Sequence, residues 1–153
     1  MIRLLPLLTL LCCVFTTTPA VAADVEFLVS PATKAMKLPF SDAVRVDDML
    51  YLSGQLGVDP ATFKLVDGGI SAETHQIFAN IKGVLADNDA SLENVVKCTV
   101  MMADIDEWPA FNTIYVTYFP GNKPARSAFG ANGLALGGRV EMECWAALGD
   151  QRR

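Results

Sequence analysis

Histidine and cysteine are scarce in this chain, with one His and four Cys in 153 residues. So few ligands make a Cys/His metal site an unpromising reading, and none is expected. Any histidine-dependent nucleophile would have to use His75, and no nucleophile motif stands near it. The plainer reading of His75 is a solvated helix residue. Basic residues are also few: 12 Lys+Arg stand against 17 Asp+Glu, a net charge of -5. Neutralising a phosphate backbone needs the opposite balance, so no nucleic-acid partner is expected. Gly68-Gly69 and Gly137-Gly138 lack the spacing of phosphate-cradling loops. No internal repeat or low-complexity tract appears. What is present is a 52% apolar composition, enough for the core of one domain.

Met1–Ala22 reads as a leader rather than as fold. Arg3 supplies a short positive start, Leu4 to Phe15 an apolar run, and Ala20-Val21-Ala22 a small-x-small cleavage site before Ala23. The run is shorter than the ~20 residues that a spanning helix needs. An uncleaved anchor is the rival reading. A lipoprotein anchor fits poorly, because bulky Leu11 precedes Cys12. The expected organisation is a signal peptide over 1–22 and a single domain over 23–153. Cleavage would leave 153 − 22 = 131 residues with a net charge of 11 − 17 = −6. The protein is then expected in a periplasmic or secreted compartment, with no membrane attachment. Only Cys98 and Cys144 would remain. Both lie in apolar, strand-like runs and read as two buried thiols acting as small hydrophobes. Pairing is the alternative, and it requires Cα atoms within ~7 Å.

Ala23–Pro39 reads as irregular, broken by Pro31 and Pro39. Ser41–Val46 and Met49–Gln55 read as a hairpin around Asp47-Asp48. Ser71–Asp87 reads as a helix capped by Ser71, with Glu73 in its first turn. Ile77, Ile81, Val84 and Leu85 form its apolar stripe. Val95–Met102 is the next strand. Asp106 is placed to cap a second helix with Pro109 in its first turn. Phe111, Ile114, Tyr115, Tyr118 and Phe119 repeat the stripe. Arg126–Asn132 and Arg139–Leu148 read as closing strands. The order β-β-α-β-α-β-β predicts an α+β sandwich: one sheet of five to six strands with two helices on one face. In the last strand Val140, Met142, Cys144 and Ala146 point one way, and Glu141, Glu143, Trp145 and Ala147 the other. That mixed second face suits a wet pocket at a subunit interface, so a homo-oligomer is expected.

Pro124-Ala125-Arg126-Ser127 opens a strand with an arginine, the side chain best suited to gripping a carboxylate in two places. Glu141 lies fifteen residues on, and a hairpin of the two strands would bring the pair together. From spacing alone an ordinary cross-strand ion pair is the plainer reading. Ser53, at the strand end before Gly54, is able to donate to a ligand, although a simple turn is the plainer reading. Trp108 and Trp145 read as packing.

The chain resembles the Rid (reactive intermediate deaminase, YjgF-type) family from about Pro39 to Leu148. The pieces that carry the resemblance are Pro39-Phe40-Ser41-Asp42-Ala43-Val44, Leu52-Ser53-Gly54-Gln55 and the Asp59-Pro60 turn. Asn80-Ile81-Lys82, Val95-Val96-Lys97, Phe111-Asn112 through Tyr115 and Tyr118-Phe119-Pro120 follow. Pro124-Ala125-Arg126-Ser127 and Val140-Glu141-Met142-Glu143 complete the set. Each piece is short, and their order and spacing together are specific.

The resemblance implies a chorismate-mutase-like α+β fold with a mixed sheet. It implies a homotrimer with clefts between subunits. It implies no cofactor, and hydrolysis of enamine or imine compounds such as 2-aminoacrylate to 2-oxo acids and ammonia. Carried over by residue, Arg126 would grip the substrate carboxylate, and Glu141 would orient or activate the attacking water. Ser53 and Asn112 would be polar pocket residues, and the backbone of Ala128 would meet the nitrogen end. Phe40 stands where deaminating members often have Tyr, and Ala128 where they often have Cys. A rival reading is therefore a non-catalytic trimer that binds small carboxylates in the same cleft.

Overall fold

The computed structural model describes residues 22–149. The segment expected to be a leader lies, except for Ala22, outside the described residues. The first strand, β1, is Val25–Leu28, and a short helix, α1, follows at Pro31–Ala35. The reading of Ala23–Pro39 as irregular is therefore corrected. Ser30 accepts the Thr33 N–H as a cap, Pro31 occupies the first turn, and the Asp42 carboxylate accepts the Thr33 hydroxyl at 2.7 Å. These contacts tie a five-residue helix to the rest of the fold, where propensity alone would not hold it.

β2 (Ala43–Val46) and β3 (Met49–Leu52) form the expected hairpin, with Asp47 at φ 50° in the turn. Two-residue strands β4 (Gln55–Leu56), β5 (Val58–Asp59) and β6 (Lys64–Leu65) lead to helix α2, Gly69–Ala86. α2 starts earlier than expected. Gly68, at φ 117°, is its N-cap, a backbone shape that Ser71 would adopt poorly. Glu73 is consequently not in the first turn. It is only 4% exposed, and its carboxylate accepts the Arg139 N–H at 2.8 Å.

β7 spans Val95–Met102 as expected. Helix α3 is Trp108–Tyr118, with Pro109 in its first turn. Asp106 does not cap it: Asp104 caps a 3-10 turn at Ile105–Glu107, and α3 follows directly. β8 (Ala125–Gly130) and β9 (Val140–Ala147) close the chain.

The main sheet runs β1-β2-β3-β9-β7-β8, with β4 continuing alongside β9. It has seven strands rather than five or six, because β1 joins the edge and the run Met49–Gln55 breaks in two at Ser53-Gly54. β7 and β8 are parallel and the other pairs antiparallel, so the sheet is mixed. The expected hairpin of β8 and β9 does not form. β9 inserts between β3 and β7, and β8 is left at the open edge.

The two long helices cover one sheet face. Ile77, Phe78, Ile81 and Leu85 of α2 meet Leu50, Val100, Val140 and Met142 of the sheet, all fully buried. Each such side chain contributes about 1.5–3 kcal/mol by leaving water. Cys98 and Cys144 stand opposite each other on this face and form a disulfide, Cα–Cα 4.1 Å, so the reading as two thiols is corrected. Leu50 and Leu52 also face the helices. Tyr51 joins the other face, edge-on to Trp145 with ring centres 5.1 Å apart. Among the described residues no helix is long and apolar enough to cross a membrane.

Candidate functional site

Arg126 is the second residue of the edge strand β8, in register with Cys98 of β7. Cys98 faces the helices, and laterally paired residues share a face, so Arg126 lies under α3. Its guanidinium carbon stands 4.4 Å from the centre of the Trp108 ring and 4.3 Å from that of Tyr115. These residues are seven positions apart on α3, two turns along one face. The guanidinium is thus flanked by aromatic rings, an environment that suits its flat, weakly hydrated surface. Among the described residues no carboxylate lies within ion-pair distance of it. Nη1, the Tyr115 hydroxyl and Asn112 Oδ1 are all buried there. Burial pushes the Tyr115 phenol above its usual range, against the opposing charge and hydrogen bonding of Arg126.

Ala128 follows two residues along β8. With Ile105, Asp106, Trp108 and Pro109 it lines a concavity of about 530 Å³. Arg126, Ala128 and Asn112 therefore gather on the helix side of the sheet edge. Trp108 borders both the guanidinium and the concavity.

Glu141 occupies the other face. It alternates with buried Val140 and Met142 on β9, beside Glu143. Partial burial raises its pKa above 4.5, and the nearby Glu143 charge adds to the rise. The carboxylate lies against Gly54, where an added Cβ would stand 2.1 Å from Oε1. Ser53, next in the chain, donates its hydroxyl to the Ser41 carbonyl at 2.6 Å. Phe40, just before Ser41, is 53% exposed. Within one protomer β7 separates β8 from β9, and Arg126 and Glu141 face opposite ways. The expected meeting of the two through a hairpin is overturned by this topology.

Trp108 and Tyr115 were legible only as helix packing. Tyr115 belonged to the apolar stripe of the helix and Trp108 read simply as packing; the parity that turns Arg126 toward them depends on β8 pairing with β7. His75 is held by the Tyr118 hydroxyl at 2.8 Å on the outside of α2 and touches none of these groups.

Known proteins share both the sequence and the shape. A family model for endoribonuclease L-PSP matches residues 31–148. A 2-iminobutanoate/2-iminopropanoate deaminase from Capra hircus is 46% identical over 111 residues, covering 72% of this chain and 81% of that protein. The crystal structure of YEO7_yeast superimposes with a TM-score of 0.75 at 38% identity, over 82% of this chain and 99% of that one. RidA from the Antarctic bacterium Psychrobacter gives 0.69 at 36% identity, over 72% and 89%.

Proposed function

This chain belongs to the endoribonuclease L-PSP (Rid) family, and we propose that it hydrolyses 2-imino acids and their enamine tautomers to 2-oxo acids and ammonia. The observation that carries this reading is Arg126. A half-buried guanidinium, stacked on aromatic rings and lacking an acidic partner among the described residues, is built to receive an anion from outside. A planar α-carboxylate fits its fork.

The imine carbon of a 2-imino acid is already electrophilic. The protein needs chiefly to hold it in register with a water. With the imine nitrogen protonated, Glu141 takes one water proton as the oxygen bonds to that carbon and the C=N π pair moves to nitrogen, giving a tetrahedral aminol. Glu141 returns that proton to the nitrogen, and the aminol hydroxyl gives up its own proton as the carbonyl forms and the C–N bond breaks, releasing ammonia. Atoms balance as imine plus water giving oxo acid plus ammonia. Burial and Glu143 hold Glu141 above the ordinary carboxylate range, which makes it a better base near neutrality. Ser53, Asn112, Phe40 and the Ala128 backbone line the cleft.

Arg126 and Glu141 face opposite sides of their own sheet, so a working cleft takes one residue from each of two copies. The exposed face carrying Phe129 (50% exposed) and Trp145 (40%) supplies the apolar surface for that contact. The assembly proposed is a homotrimer. Export after removal of 1–22 is proposed with it. A buried disulfide between central strands supports an oxidising compartment, since reducing cytosol keeps thiols apart. N-terminal sequencing of periplasmic or secreted protein would show Ala23 first; an intact Met1 there would refute cleavage.

The test generates 2-aminoacrylate in situ, or 2-imino acids with an amino-acid oxidase, and follows their decay. The protein should speed decay and Arg126→Ala should not. No acceleration with any small imine would leave the second reading, a trimer that binds carboxylates without turnover. Phe40 and Ala128 favour that second reading, because each lacks a hydroxyl or thiol common at its position in deaminating relatives. The family's ribonuclease designation fits the net charge of -5 poorly. RNA cleavage that persisted in Arg126→Ala would lie outside this cleft.

A further inference from the structure

Among the described residues Arg126 has no carboxylate within ion-pair distance. What touches it is aromatic: Trp108 and Tyr115, two turns apart on α3, bring ring centres to 4.4 and 4.3 Å of the guanidinium carbon. An unrestrained arginine has several rotamers, and fixing one on binding carries an entropic cost. A guanidinium confined between two rings has lost that freedom beforehand. An aromatic face attracts a cation without neutralising it. A carboxylate beside Arg126 would hold it as firmly but would compete with the incoming anion.

The inner side of the group is enclosed as well. Nη1, the Tyr115 hydroxyl and Asn112 Oδ1 are all buried, with the hydroxyl close enough to the guanidinium to feel its charge and hydrogen bonding. Asn112 and Tyr115 are one turn apart on α3. Chemically the three form a sequence: a donor, a hydroxyl that both accepts and donates, and an acceptor. With Nη1 shut inside, the rest of the fork is what a ligand meets.

We propose that Trp108 and Tyr115 are positioning residues for Arg126, whose rings fix the plane of the guanidinium so that a substrate carboxylate meets a pre-oriented fork. The inference rests on the reading of Arg126 as the carboxylate grip. It assigns the two rings a part in affinity, not in proton transfer.

A grip that is equally strong in the ground state and the transition state acts on KM and leaves kcat alone. Trp108→Leu and Tyr115→Leu should therefore raise KM for an oxidase-generated 2-imino acid by about tenfold or more, with kcat within about threefold. Trp108→Phe and Tyr115→Phe keep a ring in place and should return KM toward that of the unaltered protein. A purely structural role would instead lower the folded fraction, and with it apparent kcat, at constant KM. Constant KM in Trp108→Leu, or a loss confined to kcat, overturns the proposal. Tyr115 is buried, so if Tyr115→Leu fails to fold, the half-buried Trp108 pair decides the matter.

Calorimetric binding of 2-oxobutanoate separates this inference from the deaminase reading. If the unaltered chain turns over no imine but binds 2-oxobutanoate, the catalytic reading fails. The positioning role is then read from Kd, expected to rise about tenfold in Trp108→Leu and to recover in Trp108→Phe. If Kd does not move, the positioning role fails by itself. If the unaltered chain binds no carboxylate, both fall.

Discussion

Gly54 and Glu141 fit so closely that a β-carbon on the glycine would stand 2.1 Å from the glutamate Oε1 and 3.0 Å from its Cδ. The break between β3 and β4 therefore does more than interrupt a strand: it clears the space in which the proposed base lies. Gly54→Ala should push the carboxylate aside while leaving Arg126 untouched on the other face. Displacement of a reacting group by about 1 Å costs up to ~100-fold in rate. The expected result is a fall in kcat of about ten- to a hundredfold, with Kd for 2-oxobutanoate unchanged. Steady-state kinetics and calorimetry on one preparation check it, and an unchanged kcat would detach Gly54 from catalysis.

Glu141 should also leave a mark on stability. The unfolded chain releases this proton near 4.5, and the folded chain does so at higher pH because of burial and then Glu143. Between those two values the folded state holds more protons, so stability falls as pH rises through the window. Above it the cost is fully present. Glu141→Gln is therefore expected to raise Tm at pH 7 and to leave it nearly unchanged below pH 4.5, while abolishing turnover. In the unaltered protein the acid limb of the rate profile should lie above pH 4.5. Glu143→Gln should shift it downward. A limb that ignores Glu143→Gln would refute this account.

Alternation made the last strand legible: Val140, Met142, Cys144 and Ala146 are all buried, and Glu141, Glu143 and Trp145 are not. The stripe of α2 was equally plain in Ile77, Ile81 and Leu85. What escaped depended on contacts distant in sequence. α1 is held by Asp42, nine residues beyond Thr33, and no local pattern announces that bond. Chain order suggested a β8–β9 hairpin, whereas strand order puts β7 between them. Arg126 and Glu141 were identifiable by type and by family resemblance. Their opposite facing was not, because it follows from which strand lies beside which.

The disulfide is a second consequence of strand order. Cys98 and Cys144 are 46 residues apart and face each other across β7 and β9. Closing a loop of that size should contribute about 2–4 kcal/mol to stability. Denaturant titration with and without dithiothreitol, and of the double variant Cys98→Ala with Cys144→Ala, should show a loss of that size. Both sulfurs are bonded to each other and fully buried, so thiol reagents should label Cys98 and Cys144 only after the protein is unfolded in the presence of a reductant. Rapid reduction under native conditions would contradict the buried pairing.

Replacing the fork with a point charge tests the grip itself. Arg126→Lys keeps a positive charge and loses both the planar pair of donors and much of the surface that lies against Trp108 and Tyr115. KM for a 2-imino acid should rise by about tenfold or more, and Kd for 2-oxobutanoate should rise in parallel. Equal affinity in the lysine variant would mean that long-range attraction is enough, and the stacked geometry would then have no function in binding.

If each cleft takes Arg126 from one copy and Glu141 from the next, two dead variants should repair one another. Arg126→Ala supplies an intact glutamate and Glu141→Gln an intact arginine. Random mixing makes about three quarters of trimers hybrid, and each hybrid holds one complete cleft of three. Co-refolding equal amounts should therefore recover about a quarter of the unaltered activity. Each variant refolded alone should stay inactive. A site built within a single protomer would recover nothing, because no chain in the mixture carries both side chains. A dimeric assembly with two shared clefts would also recover about a quarter, from half of the molecules being hybrid with one intact cleft of two. Sedimentation velocity of the same mixture separates dimer from trimer, and the recovery itself decides whether the chemistry is shared between copies.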